Sequence, residues 1–212
     1  MFGDGSLTFQ EFAMREPHPL AVIHDAVLEF LRGRDDAVLY GAQAVNAYVS
    51  EARMTQDVDI VSTRAAELAE ELRKYLNRKF HIAVRVRDVR EGMEYRIYQV
   101  RKPNNRHLVD LRPVEQLPPS QRVKKVLVVT PPELVAGKVT AYVRRRDSGK
   151  PKAGTDWRDL AMLLLTFPEL KTETGAVAGQ LRAHGVGEDV FNVWKELVKQ
   201  KIAPEDDEEF DD

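Results

Sequence analysis

Two aspartates, Asp57 and Asp59, alternate with Val58 and Ile60 in the run Arg53-Met54-Thr55-Gln56-Asp57-Val58-Asp59-Ile60-Val61-Ser62-Thr63. Period-two alternation is a strand pattern, and in a strand residues i and i+2 share a face about 6.5–7 Å apart. The two carboxylates therefore project together, while Val58 and Ile60 serve the other side. Like charges held side by side repel, and a cation between them relieves the cost. Hard divalent ions with oxygen ligands suit that role, Mg²⁺ above all where phosphates are handled. Upstream, Ala37-Val38-Leu39-Tyr40-Gly41-Ala42-Gln43-Ala44 reads as a short strand, a glycine turn and a helix start. A helix N-terminus offers free N–H groups to an anion, and Gly41 lets a phosphate approach the backbone. Downstream, Arg106-His107-Leu108-Val109-Asp110-Leu111 is another strand with one acid in an apolar setting. On a neighbouring strand, Asp110 would complete a metal-binding triad with Asp57 and Asp59. The structural alternatives are acids on a solvent-facing strand, a plain turn glycine, and an Asp110 paired to Arg112 or Arg106.

At these positions the chain resembles the nucleotidyltransferase superfamily of the DNA-polymerase-β fold, whose pattern is Gly-Gly or Gly-Ser, then Asp-x-Asp on a strand, then a third acid on a later strand. The resemblance is closest to the AbiEii-type toxins of toxin–antitoxin systems. Arg53-x-Thr55-x-Asp57-Val58-Asp59 is similar to that branch's Arg-x-Ser/Thr-x-Asp-h-Asp motif. Val129-Thr130-Pro131-Pro132-Glu133-Leu134-Val135-Ala136-Gly137-Lys138 is similar to its lysine-bearing helix, and Arg158-Asp159-Leu160 to the Arg-Asp-Leu segment that follows. The resemblance implies that Asp57, Asp59 and Asp110 are catalytic and hold two Mg²⁺ ions, with Mn²⁺ as a substitute. It also implies that Gly41, Ala42, Arg53, Thr55, Lys138 and Arg158 bind the nucleotide. The implied partners are a nucleoside triphosphate, an RNA acceptor such as a tRNA 3′ end, and an antitoxin protein. Two departures stand out. Ala42 replaces the second Gly or Ser, which removes a hydroxyl contact and keeps the backbone ones. A Gly/Lys/Pro-rich stretch, Asp147–Asp156, separates the lysine helix from Arg158.

Length and composition set the frame. The chain has 212 residues, 43% of them hydrophobic and 31% charged, enough apolar content for a real core. No apolar run approaches the ~20 residues needed to cross a membrane, and the N-terminus lacks a signal-like apolar core. With no cysteine, disulfides, thiolate zinc sites and cysteine nucleophiles are excluded, and a cytoplasmic location is expected. The net charge of −2 hides an asymmetry, because seven acids lie in Glu205-Asp206-Asp207-Glu208-Glu209-Phe210-Asp211-Asp212. Without them the body is basic. Arg144-Arg145-Arg146 with Lys150 and Lys152 is its densest cationic stretch, and Arg85 and Arg87 share a strand face. Either group reads as a solvated surface or as a nucleic-acid contact.

Residues 1–18, with Phe2, Phe9 and Phe12, read as a packed lead-in. The elements expected to position the acids are a helix over 20–31, a strand at 37–40, a helix over 42–51 and a strand at 57–61. A helix capped by Thr63 then runs to Arg78, followed by strands near 80–88, 93–101, 106–112 and 124–129. From Pro131 the pattern turns helical, over 131–146, 156–166, 173–184 and 187–201. In the 156–166 helix, Arg158 and Asp159 fall in the first turn. Lys138 lies beside the apolar stripe Val135, Val139, Tyr142 and Val143. The five histidines show no ligand spacing, and Trp157 and Trp194 read as packing residues. The expectation is an α+β fold: a polymerase-β-like core with a mixed sheet flanked by helices over 1–130, a helical lobe over 131–204 and an acidic disordered tail over 205–212. The expected function is Mg²⁺-dependent transfer of an NMP to an acceptor hydroxyl. The alternatives are transfer to a small molecule such as an antibiotic or to a protein, and a non-catalytic nucleotide-binding module.

Overall fold

A computed structural model of the chain describes Phe12 and residues 18–202. It divides into two compact units, residues 1–130 and 131–212. In the first, helix α1 (Leu20–Leu31) is followed by β1 (Ala37–Tyr40), α2 (Gly41–Tyr48), β2 (Val58–Ser62), α3 (Ala65–Phe80), β3 (Val84–Asp88), β4 (Tyr95–Gln99), β5 (Arg106–Pro113), β6 (Ser120–Val123) and β7 (Val126–Val129). The strands form one mixed sheet in the order β3-β4-β5-β2-β1-β7-β6. The β1–β7 and β2–β5 pairs are parallel and the others antiparallel.

Alternation decides which side of this sheet is core. Val58 and Ile60 on β2, Val109 and Leu111 on β5 and Ile97 on β4 are sealed from solvent. Ile60 pairs with Leu39 and Leu111, and Val109 with Val58 and Ile97, so the apolar side chains form continuous rows. Helix α3 supplies Leu68, Ala69, Leu72 and Leu76 at helical spacing to this core and packs across β2 to β5. Glu67 in its first turn and Arg78 and Lys79 in its last complement the helix dipole. Helix α2 lies against β1, β2 and β7.

The structure corrects several sequence expectations. Thr63 caps nothing: α3 starts at Ala65, and the hydroxyl of Ser62 accepts the Arg64 N–H at 3.0 Å while donating to the Asp36 carbonyl at 2.6 Å. The segment expected as one strand over 124–129 is a hairpin, β6 and β7, turning at Lys124 and Lys125 with φ of 48° and 70°. Strand β6 (Ser-Gln-Arg-Val) lies at the sheet edge and needs no apolar alternation, which is why its pattern is silent. Phe12 is exposed rather than packed. Phe2, Phe9 and the acidic run 205–212 lie outside the described residues.

The second unit holds α4 (Pro131–Asp147), α5 (Lys152–Thr166), a 3₁₀ turn (Pro168–Leu170), α6 (Ala176–Ala183) and α7 (Glu188–Lys199). Leu134, Val135, Val139, Leu160, Leu163, Val177, Leu181 and a fully buried Trp194 form its core. Trp157 instead lies half-buried, its ring 4.8 Å from that of Tyr142. Helix α5 begins at Lys152, four residues before the expected start, so Arg158 and Asp159 sit in its second turn rather than its first. No helix among the described residues is long and apolar enough to cross a membrane.

Candidate active site

The register of five strands lines up one polar row on the sheet face opposite the apolar rows. Tyr40 on β1 is the partner of Asp59 on β2, and Asp59 is the partner of Asp110 on β5. Asp110 in turn faces Arg96 on β4, and Arg96 faces Arg87 on β3. Paired residues share a face, so Asp59 and Asp110 stand side by side, and Asp57 lies two residues before Asp59 at the head of β2. A one-residue slip in β2 would put Val58 and Ile60 on this face instead, so the core rows and the carboxylate row fix each other.

A histidine joins the acids. The ring of His107 spans two carboxylates, with Nε2 2.9 Å from Asp110 Oδ1 and Nδ1 3.3 Å from Asp57 Oδ2. Asp57, His107 and Asp110 offer ligand atoms within 4.8 Å of one another. Simple alternation would turn His107 away from Asp110, three residues on. A bulge prevents this. Ile97 pairs with Val109 while Tyr98 pairs with His107, so Leu108 is an extra residue on β5 and the alternation resets. This is why the sequence, read for ligand spacing, did not single out His107.

Asp110 is held on several sides. It accepts from Arg96 Nε at 2.9 Å and from Arg96 Nη2 at 3.3 Å, as well as from His107, and is not paired with Arg112 or Arg106. Arg106 instead donates to Gln99 and to the His18 carbonyl, and the Arg112 guanidinium lies 5.6 Å over the Tyr40 ring. Burial pushes the Asp110 carboxyl up, but the bonds from His107 and Arg96 outweigh it and hold it down at about 2. Buried Glu94 shares Arg96, with Oε1 3.3 Å from Nη2. Burial, then the charge of Asp59, raises the Tyr40 hydroxyl well above its ordinary range, so it stays protonated. Carboxylate oxygens crowded together with an imidazole nitrogen form a donor set that fits a divalent cation such as Mg²⁺ or Mn²⁺.

The scaffold around the motif explains the remaining residues. Gly41 opens α2 with φ of 69°, and a Cβ there would lie 2.0 Å from Asp59 Oδ2. The glycine therefore leaves the space that the Asp59 carboxylate fills. Ala42 follows it, half-buried. Two buried amides of α2 fasten the motif segment. Gln43 Nε2 donates to Thr55 Oγ1 at 2.7 Å and lies 3.3 Å from His24 Nδ1. Asn46 donates to the Arg53 carbonyl at 2.8 Å and accepts its N–H at 3.1 Å. Thr55 is thus a buried brace in this structure, and Arg53 is pinned by its backbone while its guanidinium donates to the Met54 carbonyl at 3.2 Å. Gln43 and Asn46 carried no signal in the sequence beyond lying one helical turn apart.

Asp57, Asp59, Asp110, Gly41, Ala42, Arg53 and Thr55 all belong to the first unit; Lys138 and Arg158 belong to the second. There Lys138, only 7% exposed, donates to Asp159 at 2.6 Å and to Asp156 at 3.3 Å, and Asp156 also pairs with Arg145. Arg158 is exposed on α5.

The structure resembles the polyadenylate synthase of Megavirus at a TM-score of 0.55 and 14% identity, over 70% of this chain and 32% of that one. The chain thus spans about a third of the viral enzyme's length. It also resembles JHP933 from Helicobacter pylori at a TM-score of 0.52 and 10% identity, over 91% and 93% of the two chains. At these identities the likeness is one of fold. No curated protein matches the sequence. The family described as "Nucleotidyl transferase AbiEii toxin, Type IV TA system" matches residues 26–212, and with the match running through both units, the chain belongs to the AbiEii nucleotidyltransferase family.

Proposed function

We propose that this nucleotidyltransferase moves an NMP from a nucleoside triphosphate to an RNA hydroxyl at the centre formed by Asp57, Asp59 and Asp110, as the toxin-like partner of an antitoxin protein. The carrying observation is the register that sets Asp59 beside Asp110 with Asp57 two residues away, in a row that runs from Tyr40 to Arg96 and Arg87. Three carboxylates on neighbouring strands are costly to keep together unless they have a cation to share. Asp57, Asp59 and Asp110 would hold Mg²⁺, with His107 within reach of two of them. A bound Mg²⁺ would neutralise triphosphate charge and acidify the acceptor hydroxyl.

The chain's own residues do the rest. In the reaction the acceptor oxygen bonds to the α-phosphorus as the bond to the β-phosphate oxygen breaks, and pyrophosphate leaves. The carboxylate cluster takes up the acceptor's proton. The N-terminus of α2, opened by Gly41 and Ala42, offers N–H groups to phosphate, and Arg53 flanks the same motif. Lys138 and Arg158 are the candidate phosphate contacts of the second unit. An RNA acceptor is favoured by Arg87, exposed in the same polar row, by Arg85 on the same strand, and by exposed Arg144 and Arg146 on α4. An antitoxin partner is supported by the toxin–antitoxin description of the matching family.

Each α-³²P-labelled NTP, offered with Mg²⁺ and total tRNA, protein extract or an aminoglycoside panel, tests the reading. Label should enter tRNA with the wild type and not with the Asp57→Ala/Asp59→Ala variant. Label in protein or in a small molecule would move the acceptor to that class. NTP binding with no label anywhere would leave a nucleotide-binding module.

A further inference from the structure

The acidic centre carries its own counter-ion. Arg96 grips Asp110 with two bonds, Nε to Oδ1 at 2.9 Å and Nη2 to Oδ2 at 3.3 Å, and Nη2 also lies 3.3 Å from Glu94 Oε1. His107 Nε2 takes a further place on Oδ1 at 2.9 Å. An ionised carboxylate oxygen has about two acceptor positions, so Oδ1 is fully used and Oδ2 half used. Asp110 in this state has little left to give a cation, and a guanidinium bound to its carboxylate repels one. Arg96 is nevertheless not locked in. Its side chain is 39% exposed, and along the polar row its neighbour is exposed Arg87, another cation that favours its departure toward an anion.

We propose that Arg96 is a displaceable counter-ion: it competes with the divalent cation for Asp110 and, once released, binds the phosphates of the incoming triphosphate. The inference rests on the metal-dependent reading of the site given above. It assigns Arg96 two effects of opposite sign, opposing metal and favouring nucleotide. An arginine that merely held Asp110 in place would favour both.

The test is a Mn²⁺ titration of the full chain followed by electron paramagnetic resonance of the free ion, comparing wild type, Arg96→Ala and Arg96→Lys. Removing the partly exposed Arg96 charge from Asp110 should tighten Mn²⁺ binding roughly fivefold to tenfold, with the lysine variant between. At saturating Mn²⁺, a non-hydrolysable α,β-methylene triphosphate should bind Arg96→Ala several-fold more weakly than wild type. Because buried Glu94 loses a partner in these variants, a measurement on the wild type runs beside them: the Arg96 Nε–H resonance, protected without metal, should exchange with water once Mg²⁺ and the triphosphate analogue are added. Mn²⁺ affinity unchanged or weakened in Arg96→Ala, or an Nε–H that stays protected while metal binds, overturns the proposal and leaves the metal-dependent reading standing. A wild type that binds no Mn²⁺ overturns both.

Discussion

Gly41→Ala separates packing of the Asp59 carboxylate from ordinary backbone strain, because the fold supplies its own control. Gly33 and Gly41 both have positive φ, 77° and 69°, yet a Cβ on Gly33 meets nothing within 4 Å. At Gly41 it lies 2.0 Å from Asp59 Oδ2, 2.8 Å from Cγ and 3.0 Å from Cβ. Alanine in the left-handed region costs on the order of 1–2 kcal/mol at either position. In a unit of this size that lowers Tm by about 4–8 °C. Only at Gly41 must something else move. Carrying Oδ2 from 2.0 Å out to 3.4 Å, where ordinary contact begins, displaces the carboxylate by at least 1.4 Å. It is the end of a flexible side chain, so the added cost in stability is small. The cost in chemistry is not, since misplacing a reacting group by ~1 Å can cost about 10²-fold in rate. The expected result is two variants of matching Tm, with Gly33→Ala transferring label like wild type and Gly41→Ala slower by about a hundredfold and weak in Mn²⁺ binding. Thermal unfolding, label transfer and Mn²⁺ titration on the same samples decide it. A Gly41→Ala protein with wild-type transfer refutes the packing argument. One destabilised well beyond Gly33→Ala would show that the backbone, not Asp59, gave way.

Other variants test the remaining parts of the site. Gln43→Ala removes the 2.7 Å bond to Thr55 and should cost about 1–3 kcal/mol, with faster hydrogen exchange over residues 53–57. Gln43→Leu, which keeps much of the volume but cannot hydrogen-bond Thr55, should not restore protection there. Lys138→Ala takes a 2.6 Å partner from buried Asp159 and a 3.3 Å partner from buried Asp156, which keeps Arg145, and should cost about 3 kcal/mol in urea unfolding. The proposed phosphate contact requires nucleotide binding to weaken in the same variant, and unchanged nucleotide affinity would take Lys138 off the phosphates. Asp110, held at about 2 when folded against an unfolded value near ~4, contributes stability that is complete above the ordinary carboxylate range. That stability drains away as pH falls through the native value. Tm measured from pH 6 to pH 2 without metal should therefore fall less steeply in Asp110→Asn than in wild type, and parallel curves would count against the Arg96 and His107 pairing.

What the sequence determined is what depends on short-range order. The alternation Asp57-Val58-Asp59-Ile60 is enough to put two carboxylates on one face, because side-chain direction in a strand follows from position alone. The apolar spacing of α1 and α3, the helical run after Pro131 and the ordered motifs that pointed to an AbiEii-type nucleotidyltransferase were legible for the same reason. Legible too was a lone acid on a later strand, though not its partners. Those come from pairing between strands far apart in the chain. The parallel register of β2 with β5 sets Asp59 against Asp110, β4 delivers Arg96 to the same carboxylate, and the bulge at Leu108 turns His107 to the acids against its own sequence parity. Gly41 shows the division within one residue. Its type marked a turn in the sequence, but that the turn exists to make room for Asp59, eighteen positions on, is a fact of packing. Residue pattern settles which way a side chain points within its own element. What stands opposite is settled only when register, bulges and close packing bring distant elements together.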